Sequence, residues 1–334
     1  MKIFITGVAG FLGSHLADLM ISQGHTVAGN DNMIGGYTDN VPQGVEFHQV
    51  DCCNLENMTK AMEGCDIVYH TAATAYEGLS VFSPVLVTRN IFEASVTTIT
   101  AAIRNKVKRI VYCSSMARYG QHDKLPYKED YECRPQDPYG IAKKAGEDVL
   151  RNLCETHGVE YVIAVPHNIV GPRQKYDDPF RNVMSIMLNR MLQGKQPIIY
   201  GDGEQKRCFS YIDDCLYCLN ALAFHDNVVG EVINIGPDEE PVTINELAEA
   251  CANETGINLD PIHHKDRPKE VKLATCSSDK ARELLGYKTS TNMRQSVSKT
   301  AEYIRTRGTK KFQYHLPLEI VNDITPETWK NKLI

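Results

Sequence analysis

The chain has 334 residues, of which 42% are hydrophobic and 23% are charged, and its formal net charge at pH 7 is −6. This composition is typical of a soluble globular protein with one large or two smaller domains. The negative charge offers no electrostatic basis for binding nucleic acid or an anionic membrane, and short basic runs such as KVKR (106–109) are interpreted as solvated.

A strand pattern begins at residue 2, and no apolar run approaches ~18 residues, so the sequence predicts a cytoplasmic protein with neither a signal peptide nor a membrane span. The eleven cysteines are an odd number scattered through the chain, which does not indicate a disulfide framework. Cys215 and Cys218 form a CxxC pair inside a helical apolar pattern. We therefore interpret them as buried thiols and predict no metal site.

Strand and helix patterns alternate through the first half of the chain. Short apolar runs predict strands, and amphipathic segments between them predict helices. The predicted strands are 2–7, 25–31, 45–51, 65–72, 107–115 and 159–166. This alternation predicts an α/β protein with a Rossmann-type doubly wound parallel sheet, covered by helices on both faces.

The pattern changes after residue 167, where a smaller α/β domain is predicted. Residues 180–195 read as a long amphipathic helix, and residues 243–256 read as a helix with a threonine cap. We predict that residues 1–167 form the first domain, with a segment near 208–236 returning to it. Residues 168–334 form mainly the second domain.

The stretch TGVAGFLG contains Gly7, Gly10 and Gly13 as GxxGxxG between a strand and a helix. Gly7 permits a tight turn, Gly10 lets the backbone approach a pyrophosphate, and Gly13 allows close packing of helix on strand. The phosphates then meet the N–H groups of the helix N-terminus. Three glycines alone are weak evidence, but their position between strand and helix predicts a dinucleotide site.

Asp31 ends the second predicted strand, where a carboxylate accepts hydrogen bonds from ribose hydroxyls and repels a 2′-phosphate. No Arg or Lys occurs in the surrounding NDNMIGGYTDN to receive that phosphate, so NAD is favoured over NADP. Asp31 and Asn32 could instead end the strand in a turn. Asp51, at the end of the third strand, could contact adenine or take a capping role.

Tyr139 and Lys143 fall four residues apart in DPYGIAKKAGE, where Asp137 suits a helix cap and Pro138 suits the first helical position. A free Tyr has a pKa of about 10, so a tyrosine that acts as a base near neutral pH needs positive charge beside it. Lys143 supplies one such charge. Ser115 ends a predicted strand, where it could share a substrate proton with Tyr139 or simply cap a turn.

The motifs GVAGFLG, YHTAA, SSMARYG and PYGIAK occur in the order and spacing of the extended short-chain dehydrogenase/reductase family, which this sequence resembles. Later stretches, NIVGPRQ, GDGEQKRCFSYIDD and RPKEVKLATCSSDKARELLGY, resemble its nucleotide-sugar branch, above all the UDP-glucose 4-epimerases. The resemblance extends to about residue 305. The tail after residue 308 is less patterned and receives no role.

The resemblance implies roles for individual residues. The implied catalytic group is Ser115, Tyr139 and Lys143. The glycine loop and the resemblance together assign these residues to the cofactor NAD: Gly7, Gly10, Phe11, Leu12, Gly13, Asp31, Asn32, Asp51, Cys52, Thr71, Ala72, Ala73, Asn90, Tyr139, Lys143 and Pro166. The residues assigned to a UDP-sugar substrate are Ser115, Asn168, Asn182, Tyr200, Arg207, Arg267 and Ala274.

Within the substrate set, Arg207 and Arg267 match the arginines that hold the diphosphate, which suits their forked guanidinium groups. Asn168 and Asn182 match amide contacts, and Tyr200 matches an aromatic residue that stacks on the base. Each of these alone could be an ordinary surface or turn residue. Asn90 could likewise be a helix cap.

The stretch after Ser115 constrains the reaction. Dehydratases of the resembled branch carry an Asp–Glu pair there and decarboxylases carry a Glu, whereas this chain has Met116, Ala117 and Arg118. The resemblance therefore implies an isomerase that inverts C4 of a UDP-hexose through a 4-keto sugar, with NAD regenerated in each turnover. The alternatives are a nucleotide-sugar dehydratase and, less favoured, a non-catalytic NAD(P)-binding relative. Arg118 is interpreted as facing solvent or as a cation near the sugar.

Two positions depart from the epimerase pattern. Ala75 replaces a lysine, and Ala274 stands where a bulky side chain excludes 2-acetamido sugars, so we expect room for UDP-N-acetylglucosamine. The resemblance also implies a homodimer in which helices near 84–104 and 138–157 form a four-helix bundle between subunits.

Overall fold

The computed structural model describes residues 1–122, 124–268 and 272–334. Its strands are β1 (Lys2–Thr6), β2 (Thr26–Asn30), β3 (Glu46–His48), β4 (Ile67–His70), β5 (Arg109–Cys113), β6 (Glu160–Pro166), β7 (Ile169–Val170), β8 (Ile198–Tyr200), β9 (Lys206–Arg207), β10 (Ser210–Tyr211), β11 (Val232–Ile235), β12 (Val242–Thr243), β13 (Ile262–His264) and β14 (Leu273–Ala274).

The α-helices are α1 (Phe11–Ser22), α2 (Leu55–Ala61), α3 (Glu77–Ser80), α4 (Pro84–Thr88), α5 (Ala94–Arg104), α6 (Pro138–His157), α7 (Val183–Met191), α8 (Ile212–Phe224), α9 (Ile244–Thr255), α10 (Asp279–Leu285), α11 (Met293–Arg307) and α12 (Glu327–Lys330). A π-helical turn over Arg89–Glu93 joins α4 to α5. In the described ranges, no helix combines the length and the apolar character needed to cross a membrane.

A seven-stranded parallel sheet organises the fold, in the order β11-β6-β5-β4-β1-β2-β3. This confirms the predicted doubly wound sheet. From β1 the chain continues to β2 and β3 on one side of the sheet, and from β4 it continues to β5, β6 and β11 on the other side. The loops that follow β1 and β4 therefore lead away from each other. Ligands of open α/β sheets bind in the crevice that such a reversal leaves at the carboxyl ends of the strands.

Alternating side chains of the strands pack on the two faces of this sheet. Ile3 and Ile5 of β1 belong to the core beneath α1, α8 and α10, whereas Phe4 packs with α2, α5 and α6. Cys215 and Cys218 are buried within α8, as predicted. Both faces of the sheet are therefore covered, as near-continuous apolar strands require.

The interpretation of the basic run 106–109 as solvated is wrong for Arg109. This side chain is fully buried in β5, its guanidinium lies 2.7 Å from Glu160, and it donates to the carbonyls of Leu222 and Ala223 at the end of α8. The last carbonyls of a helix lack partners within it, so a buried cation can satisfy them. This contact depends on α8, which the local sequence does not show.

Beyond the sheet, α7, α9 and α11 pack around a separate core. α9 begins as predicted, with the Thr243 hydroxyl accepting from the Glu246 backbone N–H at 3.0 Å in a capping box. The helix predicted over 180–195 is shorter, because Asn182 adopts φ +67° immediately before α7 and Gly194 adopts φ +73° after it. Residues in the left-handed region end a helix.

Candidate active site

Two adjoining cavities lie at the carboxyl ends of the central strands. The first, of about 350 Å³, is lined by the glycine loop and by residues that follow β4, β5 and β6. The second, of about 290 Å³, lies toward α7, β8 and α12. Glu77, Arg181 and Arg207 line both cavities, so the two spaces meet along a shared wall.

The structure brings all the predicted site residues to these cavities. Those assigned to the cofactor line the first cavity: Gly7, Gly10, Phe11, Leu12, Gly13, Asp31, Asn32, Asp51, Cys52, Thr71, Ala72, Ala73, Asn90, Tyr139, Lys143 and Pro166. Those assigned to the substrate divide between the two, with Ser115, Asn168, Asn182, Arg207 and Ala274 on the first and Tyr200, Arg267, Asn168, Asn182 and Arg207 on the second.

The glycine loop forms a close-packed cradle at the start of α1. Gly7 adopts φ +71°, and its N–H donates to the Asn30 carbonyl at 2.7 Å. A Cβ on Gly13 would lie 2.2 Å from the Gly7 carbonyl oxygen, and a Cβ on Gly7 would lie 2.9 Å from Ala72 Cα. Only glycine fits these positions, and the loop holds the α1 N-terminus against the cavity, which suits the pyrophosphate of a dinucleotide.

Asp31 satisfies both sequence interpretations. Its carboxylate accepts the Met33 N–H at 2.7 Å, which makes the predicted turn, and the Ala9 N–H at 3.1 Å, which ties it to the glycine loop. Burial raises the pKa of Asp31, and these hydrogen bonds oppose the shift. The carboxylate also lines the first cavity, where ribose hydroxyls can reach it.

Asp51 takes a local capping role at the end of its strand, whereas the helix-cap interpretation of Asn90 is wrong. The N-cap of α2 is Asn54, while Asp51 accepts the N–H of Cys53 at 2.8 Å and remains on the cavity wall. Asn90 lies inside the π-helical turn, and its amide donates to the Thr74 hydroxyl at 3.0 Å. A π-turn widens a helix locally, and such turns are frequent at functional sites.

α6 presents the predicted tyrosine and lysine on its first two turns. The Asp137 carboxylate accepts the Gly140 N–H at 2.9 Å, which confirms the predicted N-cap. Tyr139 and Lys143 are both buried. Lys143 Nζ donates to the Cys113 carbonyl at 2.7 Å, so the ammonium is held at the end of β5.

The protein by itself does not bring the Tyr139 pKa toward neutrality. Burial raises the pKa of the phenol, and the Glu77 carboxylate raises it further, while Ser115 and Arg181 lower it. Burial also lowers the pKa of Lys143 to about 8. Further positive charge at the site is therefore required before Tyr139 can act as a base.

Arg181 is a site residue that the sequence did not reveal. Its guanidinium lies 4.9 Å from the Tyr76 ring centroid and 3.7 Å from where a Cβ on Gly35 would be. Among the residues that the structure describes, its buried Nε has no hydrogen-bond partner. Arg181 lies between Phe180 and Asn182 in the sequence, outside any motif that we recognised. Only the fold brings its guanidinium close to the loop that follows β2.

Arg118 takes neither of its predicted positions. It is 4% exposed, its guanidinium lies 2.9 Å from the Glu147 carboxylate of α6, and it stacks on the Tyr119 ring at 5.0 Å. The Ser114 hydroxyl donates to the same carboxylate. A buried charge requires a partner of opposite charge, and Glu147 supplies it for Arg118. The ion pair connects the loop of Ser115 to α6.

The local geometry of Ser115, Asn168 and Asn182 also satisfies their turn interpretations. Ser115 Oγ accepts the Ala117 N–H at 3.2 Å and begins a 3₁₀ turn. Asn168 and Asn182 adopt φ +45° and +67°, conformations that asparagine tolerates better than most residues. All three still line the first cavity, so structural and binding roles are compatible at each position.

Two carboxylates reach the site from outside the stretch after Ser115. Asp137 and Glu77 both line the two cavities. Asp137 is engaged as the cap of α6, and burial raises its pKa. Glu77 belongs to α3. The sequence pattern singles out Ala75 in this segment, where a lysine was expected, but gives no reason to select Glu77.

The outer end of the site contains the predicted nucleotide-binding residues. The Arg267 guanidinium lies 5.0 Å from the Tyr200 ring centroid. Ala274 of β14, the register partner of Arg207 in β9, is 6% exposed and lines the first cavity rather than the second. Residues 269–271 of the predicted RPKEVKL stretch lie outside the described residues.

A doubly wound sheet with a glycine cradle at its switch point, and with Ser115, Tyr139 and Lys143 beside β5, defines a dinucleotide-dependent enzyme of the extended short-chain dehydrogenase/reductase type. The sequence profile of the NAD dependent epimerase/dehydratase family matches residues 3–236. The chain belongs to this family, and its cofactor is NAD.

Similar proteins extend the match over most of the chain. The UDP-glucose 4-epimerase of Mycolicibacterium smegmatis is 27% identical over 323 residues, which cover 92% of this chain and 100% of that protein. The structure of UDP-glucose 4-epimerase from Thermotoga maritima with UDP-glucose is 30% identical, with a TM-score of 0.87 and coverage of 92% and 99%. UDP-N-acetylglucosamine 4-epimerase from Methanobrevibacter ruminantium, solved with UDP-N-acetylmuramic acid, is 27% identical, with a TM-score of 0.85 and coverage of 92% and 99%.

Proposed function

We propose that this protein is a UDP-sugar 4-epimerase, an isomerase that inverts C4 of a UDP-hexose. The observation that carries the proposal is the convergence of Ser115, Tyr139 and Lys143 on a cavity that contains the NAD cradle and adjoins a second cavity lined by Arg207 and Arg267. The names of the similar proteins support both the uridine diphosphate and the position of the inverted carbon.

In this proposal Tyr139 takes the proton of the sugar C4 hydroxyl and returns it after the 4-keto sugar has turned over. NAD, when bound, supplies reversible acceptance of the C4 hydride, so the net reaction is isomerisation. Ser115 hydrogen-bonds to the same sugar oxygen. Arg181 provides positive charge that lowers the pKa of the phenol, against the burial and the Glu77 carboxylate that raise it. Lys143, held at the end of β5 one turn along α6, brings a second cation to the site.

We further propose a division of labour between the two parts of the chain. Residues 1–167, with the returning segment 208–236, hold NAD, while most of 168–334 binds the nucleotide sugar. β11, which lies in the returning segment, extends the main sheet and pairs with β6. The guanidinium groups of Arg207 and Arg267 suit the diphosphate, and the Tyr200 ring suits the base.

The test is to incubate the enzyme with UDP-, dTDP- and GDP-linked sugars and to analyse the products by NMR and mass spectrometry. We expect a UDP-hexose to yield its C4 epimer with unchanged mass, without net consumption of NAD. Absence of any product, or epimerisation at another carbon, would contradict the proposal.

The same panel of sugars tests whether the site accepts an acetamido group at C2 of the sugar. Ala274 is a small residue beside Arg207 on the cavity wall, so we propose that the site accepts UDP-N-acetylglucosamine. Ala274→Tyr should lower kcat/KM for the N-acetyl sugar about tenfold or more relative to UDP-glucose, because its ring occupies the space of the acetamido group. Wild-type turnover of UDP-glucose alone would refute this assignment.

Glu77 supports a second candidate, a nucleotide-sugar dehydratase. Elimination of water requires an acid or base beside the sugar in addition to the tyrosine, and Glu77 supplies a carboxylate near Tyr139 from α3. A product that has lost one water would establish this chemistry. In that case Glu77→Gln should abolish the loss of water, while an epimerase should retain turnover in the same variant.

We also propose a homodimer formed through α4, α5 and α6. Val85 on α4 and Ile141 on α6 are 72% and 54% exposed, although the opposite faces of these helices are buried around Tyr139. A second copy of the chain would cover both apolar side chains in a four-helix bundle.

A further inference from the structure

The C-terminal segment, residues 308–334, is an ordered part of the structure that the sequence pattern left without a role. The matches to the Mycolicibacterium smegmatis and Thermotoga maritima epimerases cover 92% of this chain and 100% and 99% of those proteins. In the structure it runs from the end of α11 to the second cavity, where Trp329 and Ile334 line the wall.

The segment is anchored to helices next to the active site. The Glu319 carboxylate accepts the N–H groups of Val85 and Leu86, at 2.8 and 2.9 Å, at the start of α4. The Glu319 N–H in turn donates to the Phe82 carbonyl at 2.9 Å. A carboxylate at a helix N-terminus satisfies N–H groups that have no partner within the helix, so this attachment is specific.

Trp329 is packed against the nucleotide end of the site. The indole is 2% exposed and meets the rings of Phe82 and Phe180 edge to face, with centroids 6.0 and 5.5 Å apart. A Cβ built on Gly78 would lie 3.5 Å from both the indole and the Arg267 guanidinium. Trp329 and Arg267 therefore border the same small space beside α3.

Thr328 connects the segment directly to the predicted base-binding aromatic residue. Its side chain is fully buried, and its hydroxyl hydrogen-bonds to the Tyr200 hydroxyl at 2.5 Å. The Tyr314 hydroxyl donates to the Thr328 carbonyl at 3.1 Å, which holds the backbone in place. Because the Tyr200 ring lies against Arg267, the segment supports both residues together.

We propose that residues 313–334 form a wall of the nucleotide pocket, in which Thr328 and Trp329 are positioning residues for Tyr200 and Arg267. The proposal rests on the proposed function, because it takes the second cavity as the site of a nucleoside diphosphate. Trp329 Nε1 is buried without a hydrogen-bond partner among the described residues.

The first test measures UDP binding to the NAD-loaded enzyme by isothermal titration calorimetry. Thr328→Val keeps the shape of the side chain and removes the hydrogen bond to Tyr200, so UDP should bind about fivefold more weakly. Thr328→Ser is the matched control and should bind UDP like the wild type. With substrate, Thr328→Val should raise KM and leave kcat and NAD affinity unchanged.

A double-mutant cycle identifies the contact through which Thr328 acts. Tyr200→Phe removes the same hydrogen bond from the other side, so adding Thr328→Val to it should cause no further loss of UDP affinity. Fully additive losses would show that Thr328 does not act through Tyr200, and would overturn its assignment as a positioning residue.

The second test uses Trp329 as a probe, since it is the only tryptophan in the sequence. Saturating UDP should change the emission of the NAD-loaded wild type, and Trp329→Phe should lose the signal. The wall proposal is wrong, and the proposed function stands, if the wild type and Thr328→Val bind UDP equally well. The same conclusion follows if the wild type binds UDP without a change in its Trp329 emission. If the wild type binds none of UDP, dTDP and GDP, both are wrong.

Discussion

Tyr139 has an environment that opposes its proposed role when the protein is considered alone. Burial and the Glu77 carboxylate raise the pKa of the phenol, and Lys143 donates to the Cys113 carbonyl. A sequence spacing of four residues correctly placed Tyr139 and Lys143 on consecutive turns of α6. It did not reveal the burial that determines how the phenol ionises.

Tyr139→Phe tests the proton transfer at the phenol. The variant keeps the ring and removes the hydroxyl, so kcat should fall by about 10²- to 10⁴-fold while NAD affinity stays near the wild-type value. Steady-state kinetics and a binding titration with NAD measure the two quantities. Near-normal turnover would show that another group moves the proton.

Arg181 provides a pH-dependent test. A base is active when ionised, so kcat/KM should rise with pH through the Tyr139 pKa. The Arg181 guanidinium lowers that pKa, and its loss should raise it. In Arg181→Met the acidic limb of the pH–rate profile should therefore move to higher pH, with severalfold lower activity at pH 7. Arg181→Lys keeps the charge and should restore the limb, whereas identical profiles for all three proteins would exclude this effect.

At the scale of elements, the predictions that held were those governed by local chemistry. The Asp137 cap of α6, the capping box at Thr243 and the turn at Gly7 each depend on residues close together in the chain. Such contacts form whenever the segment adopts its conformation. The ends of α7 are set by the left-handed conformations of Asn182 and Gly194, and the environment of Arg118 is set by the distant Glu147, so the sequence interpretation of both was wrong.

The ion pair between Arg118 and Glu147 connects two elements of the active site and offers a test of stability. Glu147→Gln leaves the Arg118 guanidinium buried without its charged partner, so the free energy of unfolding should fall by about 3–5 kcal/mol. Replacing both residues, as in Arg118→Met with Glu147→Leu, should cost less than the sum of the single replacements. Chemical denaturation at a fixed NAD concentration measures these values, and strictly additive losses would argue against a direct interaction.

At the scale of the whole molecule, the proposed dimer depends on the apolar surface of α4 and α6. Val85→Glu and Ile141→Glu place charges on side chains that are 72% and 54% exposed, so each should convert the dimer to a monomer with little loss of monomer stability. Multi-angle light scattering measures the mass. Val229→Glu, at an exposed residue outside these helices, is the control, and a monomeric wild type would refute the proposal.

The sequence by itself determined the alternation of strands and helices in the first half of the chain, the glycine cradle, the helix cap at Asp137 and, through the family resemblance, the cofactor residues that line the first cavity. These features follow from local periodicity and from motifs whose chemistry requires particular residue types at short spacing. Only the tertiary structure decided that Arg181 and Glu77 reach the site, that Arg118 is buried against Glu147, and that Trp329 borders the nucleotide end. Each of these depends on a contact between segments far apart in the chain, and such contacts are set by packing of the whole core, which no local pattern encodes.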